Sequence, residues 1–329
     1  MNSSGPKVVR VAVTQAEPCW FDLNAAVAKT CQLIVTAAEN GAKLVVFPEC
    51  WIPGYPCWIW TRLVDFDLGV KYIKNSLSVS SPQMRAIQAC AKDNDIAVCL
   101  GFSENDNNSL YIAQIMVGPD GTLSGHRRKM KPTHMERTVF GDASGHCLTA
   151  VSPLPLLRPA SEDLVRVGAL SCWEHIQPLL KFATLAQGED IHVAAWPSLE
   201  VHKDDGPGLW SMSREGCHTQ SRMYAIEAGC FVLHCTALTS DKSIAAHNNA
   251  GGAIMAQPGG GSSAVFGPDG RRLSEPLDEH TEGIVYADLD MDAILRVKMF
   301  ADCTGHYSRP DLLRLMADKE VKNVLSNTS

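Results

Sequence analysis

The stretch LVRVGALSCWEHIQP, from Leu164 to Pro178, runs from an apolar β-type segment into a cysteine and then into polar residues. Its apolar part, residues 164 to 171, lacks clean polar alternation, which is typical of a strand covered on both faces. Residues 177 to 187 have the pattern of a helix, and IHVAAWP at 191 to 197 has that of a second strand. The stretch therefore predicts a β-α-β unit with Cys172 at the turn from strand to helix.

The amino-terminal half shows the same order of elements. VVRVAVTQ at residues 8 to 15 predicts a strand, residues 24 to 40 predict a helix, and KLVVFPE at residues 43 to 49 predicts a second buried strand. Strands interleaved with helices indicate an α/β layered fold.

Short repeats suggest two similar halves. VRVAV at Val9 resembles VRVGA at Val165, and the turn sequence GPDG begins at Gly118 and again at Gly267, so the two pairs have nearly one offset. No linker-like segment divides the chain, and AQPGGGSS at residues 256 to 263 predicts a mobile loop within one domain. We expect a single domain over residues 1 to 329, with a short tail from about residue 311.

Composition restricts the class of protein. With 45% hydrophobic and 20% charged residues, the chain has the balance of a globular protein with a substantial core. It has neither a run of about 18 to 20 apolar residues nor an apolar signal at its start, so we expect a soluble cytoplasmic protein without a membrane partner. The net charge is −7 and the only basic cluster is HRRKMK at 126 to 131, which argues against a nucleic-acid partner. The twelve cysteines form no CxxC pair, so neither a disulfide framework nor a zinc site is expected.

Cys172 is the first candidate for chemistry. A residue at the end of a buried strand, entering a turn before a helix, occupies the kind of elbow that exposes nucleophiles in α/β hydrolases. The alternative is that Cys172, like most of the other cysteines, is a small buried hydrophobic residue.

Glu49 is the second candidate. It ends the second predicted strand, and four aromatic residues follow it: Trp51, Tyr55, Trp58 and Trp60. A carboxylate among aromatic rings is partly desolvated, which raises its pKa toward the range of a general base. The alternative is that Glu49 caps a loop and the aromatic residues pack the core.

The segment HRRKMKPTHMERTVFGD, residues 126 to 142, contributes several cations and Glu136. A lysine beside the thiol would favour the thiolate and stabilise an anion forming on the substrate. The alternative is a solvated charged face. Composition does not choose among four cations: Arg127, Arg128, Lys129 and Lys131.

These segments together resemble the nitrilase family of carbon-nitrogen hydrolases. The resemblance lies in FPE at 47 to 49 followed by PGYP, in RKMKPTHMER at 128 to 137, in CWEH at 172 to 175 and in GHYSRPDLL at 305 to 313. It extends from about residue 8 to residue 320. The resemblance implies a four-layer α-β-β-α sandwich that needs no metal or cofactor.

The same resemblance implies functional residues. Glu49, Lys129 and Cys172 match the family's catalytic triad, and Glu136 matches a second carboxylate beside the nucleophile. Lys129 is preferred to Lys131 because it holds the family's position in the RK-x-x-PT pattern. Three further residues are candidates for substrate binding: Tyr55, Trp173, whose backbone N–H would lie near the reacting centre, and His175.

The form CWEH resembles arylacetonitrilases and also cyanide-degrading enzymes, and HRRKMKPTHMERTVFGDASG at residues 126 to 145 resembles arylacetonitrilases of the fungal type. The expected function is hydrolysis of an organic nitrile, an arylacetonitrile, to the carboxylic acid and ammonia, with some amide as by-product. The alternative is a cyanide hydratase that makes formamide. The alternative for His175 is a structural role, as a hydrogen-bonded histidine that lies behind the nucleophile. Less favoured are an amidase of the same superfamily and a non-catalytic assembly protein on the same fold.

The resemblance to nitrilases also implies dimers that stack into spirals. We expect a homodimer that takes a small nitrile and water as its substrates. Only nineteen residues follow Pro310, which puts the spiral stack in doubt.

Overall fold

The computed structural model describes residues 7–157, 163–206, 208–321 and 323. Its strands, β1 to β11, are Val8–Ala16, Leu44–Val46, Ala97–Asp106, Ser109–Val117, Leu123–Arg128, Val151–Leu154, Val165–Ser171, Ile191–Ala195, Phe231–Ala237, Ala264–Phe266 and Gly283–Asp290. Its helices, α1 to α7, are Leu23–Glu39, Phe66–Asn75, Pro82–Asp93, Pro178–Leu185, Arg214–Ala228, Asp241–Ala246 and Asp292–Phe300. Short 3-10 turns lie between them.

The strands form two sheets that meet at one edge. The first sheet has the order β5-β4-β3-β2-β1-β11 and the second has the order β6-β7-β8-β9-β10. The two join where the last residues of β1 and β9 pair in parallel, Gln15 with Thr236 and Ala16 with Ala237. The carboxyl ends of the parallel strands of both sheets are thereby brought together.

Side-chain alternation along the strands produces four layers. Val11 and Val13 of β1 share one core with Val193 of β8, and this core fills the space between the sheets. Ala12 faces the opposite way and packs with residues of α1 and α3. Ala194 does the same on the second sheet, where it packs with residues of α4 and α5. The predicted α-β-β-α sandwich is confirmed.

The two GPDG sequences form equivalent turns. The Gly121 N–H donates to the Gly118 carbonyl at 2.9 Å, and the Gly270 N–H donates to the Gly267 carbonyl at 2.8 Å. Gly121 and Gly270 both have a φ of 83°, a left-handed conformation that glycine adopts without steric cost. The first turn closes the β4–β5 hairpin and the second follows β10, so both turn predictions are confirmed.

The predicted elements differ from the observed ones mainly at their ends. The helix predicted over 24 to 40 is α1, and that predicted over 177 to 187 is the shorter α4, which begins at Pro178. The last helix ends at Phe300, and residues 301–321 lie in turns and irregular segments. Within the described ranges, none of the helices has the length and apolar character needed to cross a bilayer.

The prediction of a mobile loop at 256 to 263 is wrong for its second part. Residues 259 to 263 are buried, and they hold β1 and β9 together through hydrogen bonds. The Ser263 N–H donates to Gln15 Oε1 at 3.0 Å and the Ser262 N–H donates to Thr236 Oγ1 at 2.8 Å. A Cβ on Gly261 would lie 2.5 Å from the Gln15 side chain. The glycines of this segment allow close packing. A glycine-rich composition by itself does not distinguish such packing from flexibility.

Gly101 of β3 provides a test of how tightly the segment around Glu49 is packed. A Cβ on Gly101 would lie 2.1 Å from the Pro48 carbonyl oxygen and 3.2 Å from the Glu49 Cα. We expect Gly101→Ala to lower the free energy of unfolding by about 1–3 kcal/mol, because backbone atoms have to move. Denaturant unfolding measures the change. The control is Gly69→Ala in α2, where a Cβ meets nothing within 4 Å and a gain of about 0.5–1 kcal/mol is expected. Equal stability of the two variants would contradict the prediction.

Candidate active site

The three residues of the predicted triad each follow a strand. Glu49 lies three residues after β2, Lys129 directly follows β5, and Cys172 directly follows β7. The Glu49 N–H donates to the carbonyl of Trp196, which follows β8, at 3.3 Å and so links the two sheets. Sites in α/β folds gather at such strand ends.

Lys129 lies between two carboxylates. Its Nζ donates to Glu49 Oε1 at 2.9 Å and to Glu136 Oε2 at 2.8 Å. The Cys172 sulfur and one carboxylate oxygen of each glutamate lie within 4.8 Å of one another. The structure therefore brings all four predicted catalytic side chains together. The Lys129 and Glu49 side chains are completely buried, so the alternative of a solvated charged face is wrong at this position.

Glu136 is held on both oxygens. It lies in a 3-10 turn, His134–Thr138, where the Thr133 N–H donates to Glu136 Oε2 at 2.6 Å. The Tyr55 hydroxyl donates to Glu136 Oε1 at 3.0 Å. Tyr55 lines the cavity described below, but its hydroxyl is already engaged with this carboxylate. Glu136 is thus anchored as a fixed negative charge beside Lys129.

Glu49 differs from Glu136 in having one uncommitted oxygen. Its Oε2 is buried and has no hydrogen-bond partner among the residues that the structure describes. Burial raises the pKa of Glu49 to about 8, with Lys129 opposing the rise and Glu136 adding to it. A free oxygen on a carboxylate of raised pKa is what a general base requires, so the desolvation expected from the sequence is confirmed.

Cys172 lies at a strained turn. Its φ is 50°, in the left-handed region that non-glycine residues seldom adopt and that recurs at functional sites. Burial raises the pKa of the Cys172 thiol well above its ordinary value; Glu49 raises it further and Lys129 lowers it. Lys129 thus acts in the expected direction, but the protonated thiol dominates at rest. The thiol therefore depends on a base for its activation.

A second buried ion pair supports the loops that carry Lys129 and Cys172. Arg127 donates two hydrogen bonds to Glu174, at 2.8 and 2.7 Å. The backbone N–H groups of Met130 and Ser171 also donate to Glu174, each at 2.9 Å. Burial raises the pKa of Glu174, but the Arg127 guanidinium and these hydrogen bonds more than offset it, so the pKa lies below its usual value. Glu174, whose role the sequence left open, ties the neighbours of Lys129 and Cys172 to one carboxylate.

His175 lies behind the nucleophile. Its Nδ1 is 2.6 Å from the Cys172 carbonyl oxygen, and its Nε2 is 3.0 Å from Nε2 of His192. The ring stacks on Trp196, with 5.1 Å between centroids. Among the described residues, His175 is not part of the cavity wall. The assignment of His175 to substrate contact is therefore corrected, and the alternative of a hydrogen-bonded histidine behind Cys172 fits the geometry.

A cavity of about 400 Å³ opens from Cys172 and is mainly apolar. Trp173 belongs to its wall, as expected, and Trp60 stacks on His134 with 5.6 Å between centroids. Further apolar wall residues come from the second half: Trp196, Leu199, Met212, Ile254 and Met255. The sequence did not indicate these, because they come from irregular segments without a motif. Two of the aromatic residues after Glu49, Trp51 and Trp58, pack in the core instead.

The grouping of Glu49, Glu136 and Cys172 has the donor atoms of a metal site. The Lys129 ammonium, however, is within hydrogen-bond distance of both carboxylates. A metal ion on the same oxygens would meet this fixed positive charge at close range. The residues present therefore fit a protein-supplied cation rather than a metal.

The family model for carbon-nitrogen hydrolase matches residues 10–299, and the chain belongs to this family. Curated relatives include an arylacetonitrilase from Hypocrea virens, 63% identical over 319 residues that cover 97% of this chain and 94% of the relative. Another is an arylacetonitrilase from Aspergillus kawachii, 59% identical over 314 residues that cover 95% of this chain and 93% of the relative.

Solved structures support the fold. A carbon-nitrogen hydrolase from Helicobacter pylori G27 has a TM-score of 0.68 and 19% identity, over 92% of this chain and 96% of that chain. A mutant of the amidase from Nesterenkonia sp. AN1, with the acetamide moiety of fluoroacetamide added covalently at its active site cysteine, has a TM-score of 0.61 and 16% identity, over 90% and 95% of the two chains.

The Arg127–Glu174 pair yields a prediction about stability. Arg127→Met should lower the free energy of unfolding by about 3–5 kcal/mol, because the Glu174 charge is left buried without its partner. The control is Arg296→Met, which breaks the exposed pair with Asp290 and should change it by at most about 1 kcal/mol. Guanidinium unfolding followed by circular dichroism measures both variants. A change at Arg127 no larger than that at Arg296 would show that the buried pair does not hold these loops.

Proposed function

We propose that this protein is a nitrilase that hydrolyses arylacetonitriles to the carboxylic acid and ammonia through a covalent intermediate on Cys172. The observation that carries the proposal is the position of the Cys172 sulfur, within 4.8 Å of one carboxylate oxygen of Glu49 and one of Glu136, on a residue that lines an apolar cavity. The arylacetonitrilase relatives at 63% and 59% identity support the substrate class.

The first step is addition of the thiol to the nitrile. Glu49 Oε2 takes the proton of Cys172 while the sulfur bonds to the nitrile carbon, and one electron pair of the triple bond moves to nitrogen. An ammonium has three N–H donors, and Lys129 uses two on Glu49 and Glu136. The third stabilises the developing charge on nitrogen, together with the Trp173 N–H. Proton transfer from Glu49 to nitrogen gives the thioimidate.

Two waters complete the reaction. Glu49 takes a proton from the first water, whose oxygen bonds to the thioimidate carbon and gives a tetrahedral intermediate. Protonation of nitrogen and cleavage of the carbon–nitrogen bond release ammonia and leave a thioester. A second water, activated in the same way, cleaves the carbon–sulfur bond to release the acid and restore the thiol. If the carbon–sulfur bond of the first tetrahedral intermediate breaks instead, the product is the amide.

The cavity favours an aryl substrate over cyanide. A volume of about 400 Å³ is far larger than a two-atom substrate fills, and apolar and aromatic walls favour an apolar ring. The similar curated relatives are arylacetonitrilases, and they do not favour the cyanide hydratase alternative. The amide by-product, the homodimer with its stacking into spirals and the cytoplasmic location stay predictions of the sequence.

The activity test uses phenylacetonitrile, mandelonitrile and cyanide as separate substrates, with ammonia, acid and amide measured for each. We expect acid and ammonia from the aryl nitriles. Cys172→Ala should reduce turnover below detection, because no sulfur is left to form the covalent bond. The matched control is Cys230→Ala, at a buried cysteine directly before β9, which should keep turnover within about threefold of wild type.

Two results would contradict the proposal. Formamide from cyanide, without acid from either aryl nitrile, would make the protein a hydratase. Wild-type turnover by Cys172→Ala would remove Cys172 from the mechanism.

The raised pKa of Glu49 predicts the pH dependence. Glu49 accepts a proton only when ionised, so kcat/KM should rise with pH through a midpoint of about 8. Burial lowers the pKa of Lys129, but Glu136 and Glu49 more than offset this and place it well above its usual value, so no loss from Lys129 is expected on the alkaline side. Stopped assays from pH 5 to 10 measure the profile, and Glu49→Gln should abolish the rise along with most of the activity. A kcat/KM that falls as pH rises through this range would exclude Glu49 as the base.

A further inference from the structure

Behind Cys172, four buried side chains form one hydrogen-bonded line that the proposed mechanism does not use. His175 Nε2 is 3.0 Å from His192 Nε2, and His192 Nδ1 is 2.8 Å from Glu189 Oε2. The Tyr224 hydroxyl donates to Glu189 Oε1. The line ends on the Cys172 carbonyl oxygen, 2.6 Å from His175 Nδ1. We call these four residues the histidine relay.

The donor and the acceptor of each hydrogen bond in the histidine relay follow from which atoms can carry a proton. A carbonyl oxygen only accepts, so the proton of His175 lies on Nδ1 and its Nε2 is the acceptor for His192 Nε2–H. One proton then lies between His192 Nδ1 and Glu189 Oε2, whichever atom carries it. Each hydrogen bond therefore has one donor and one acceptor, and the donation runs from His192 through His175 to Cys172.

The surroundings of His175 agree with this assignment. Burial lowers the pKa of His175 well below its ordinary value, and the neighbouring His192 lowers it further. A neutral ring carries a single N–H, and its position is then set by the partner of the other nitrogen. His192 is that partner.

The hydrogen bond from His175 to the Cys172 carbonyl also affects the orientation of the Trp173 N–H, because both groups belong to the Cys172–Trp173 peptide. In a planar trans peptide the carbonyl oxygen of one residue and the N–H of the next point in opposite directions. The Cys172 carbonyl is bound by His175, which does not line the cavity among the described residues, whereas Cys172 and Trp173 both line it. The Trp173 N–H is thereby directed to the opposite side, toward the substrate.

We propose that His192, Glu189 and Tyr224 are positioning residues, which act through His175 to keep the Cys172–Trp173 peptide in the orientation that presents the Trp173 N–H to the substrate. The proposal rests on the proposed function. It assigns no chemistry to the histidine relay itself. Its effect is confined to steps in which negative charge develops on the substrate atom bonded to that N–H.

Two substitutions of similar size at His192 separate orientation from packing. His192→Leu removes the donor to His175 Nε2, so the ring loses the hydrogen bond that holds it in place against the Cys172 carbonyl. His192→Gln keeps an N–H near the position of Nε2. With phenylacetonitrile we expect kcat to fall about 10- to 100-fold in His192→Leu, by analogy with loss of an anion-stabilising donor. KM should stay within about threefold, and His192→Gln should recover most of kcat.

Two further readouts do not require nitrile turnover. Phenylacetaldehyde adds to the Cys172 thiol: sulfur bonds to the carbonyl carbon, Glu49 takes the thiol proton and one electron pair of the carbonyl bond moves to oxygen, giving a hemithioacetal anion whose oxygen meets the Trp173 N–H. Its inhibition constant, measured by protection of Cys172 against iodoacetamide, should rise about 10-fold or more in His192→Leu. Alkylation by iodoacetamide itself should keep its rate, because no anion forms at that position.

His234→Leu is the matched control, since His234 is buried on the adjacent strand β9 and bonds to Ser221, outside the histidine relay. Thermal melting reports any general loss of stability in each variant. The proposal is overturned if His192→Leu and His192→Gln have the same kcat and aldehyde affinity, or if His234→Leu shows the same losses. If the wild type releases acid from no nitrile, the proposed function fails, and the aldehyde measurement still tests the histidine relay.

Discussion

The structure depends on one interaction, the burial of the Lys129 ammonium between the carboxylates of Glu49 and Glu136. With all three groups ionised, the cluster carries one excess negative charge in a place without bulk water. Burial is the main reason why the pKa of Glu49 rises to about 8 although a cation is only 2.9 Å away, and the Glu136 charge adds to the rise. A buried charge without a partner is costly, so the cluster is stable only when both sheets have assembled and each of its members is in place.

The surroundings of this cluster consist of rigid connections between strand ends. Arg127 precedes Lys129 and is bound to Glu174, which in turn accepts from the backbone beside Lys129 and beside Cys172. The lysine and the nucleophile are therefore positioned by the same carboxylate. His175 holds the opposite side of the Cys172 turn. Flexibility of either loop would change the distance from sulfur to base, on which proton transfer depends.

The sequence predicted the features that are local. Apolar runs located β1, β2, β7 and β8, and turn residues located both GPDG turns, because strand burial and a left-handed glycine leave direct signals. Glu49, Lys129, Glu136 and Cys172 were found because they belong to contiguous motifs. Leu199, Met212 and Ile254 of the cavity wall lack any such signal, since only tertiary packing brings them to Cys172. The same holds for Glu189, His192 and Tyr224, and for the glycine-rich segment, whose packing against Gln15 depends on a strand far away in the chain.

The charges of Lys129, Glu49 and Glu136 also affect release of the product. A nitrile and water are neutral, so they enter the site without electrostatic repulsion whether or not Glu49 is ionised. The acid that forms ionises, and its carboxylate then lies beside the Glu136 carboxylate and, when Glu49 is ionised, beside that carboxylate as well. Like charges at such separations in a desolvated site repel strongly, while the single ammonium is already shared between two carboxylates. The arrangement that activates the thiol therefore also disfavours retention of the product, and it does so without any contact to the aryl group.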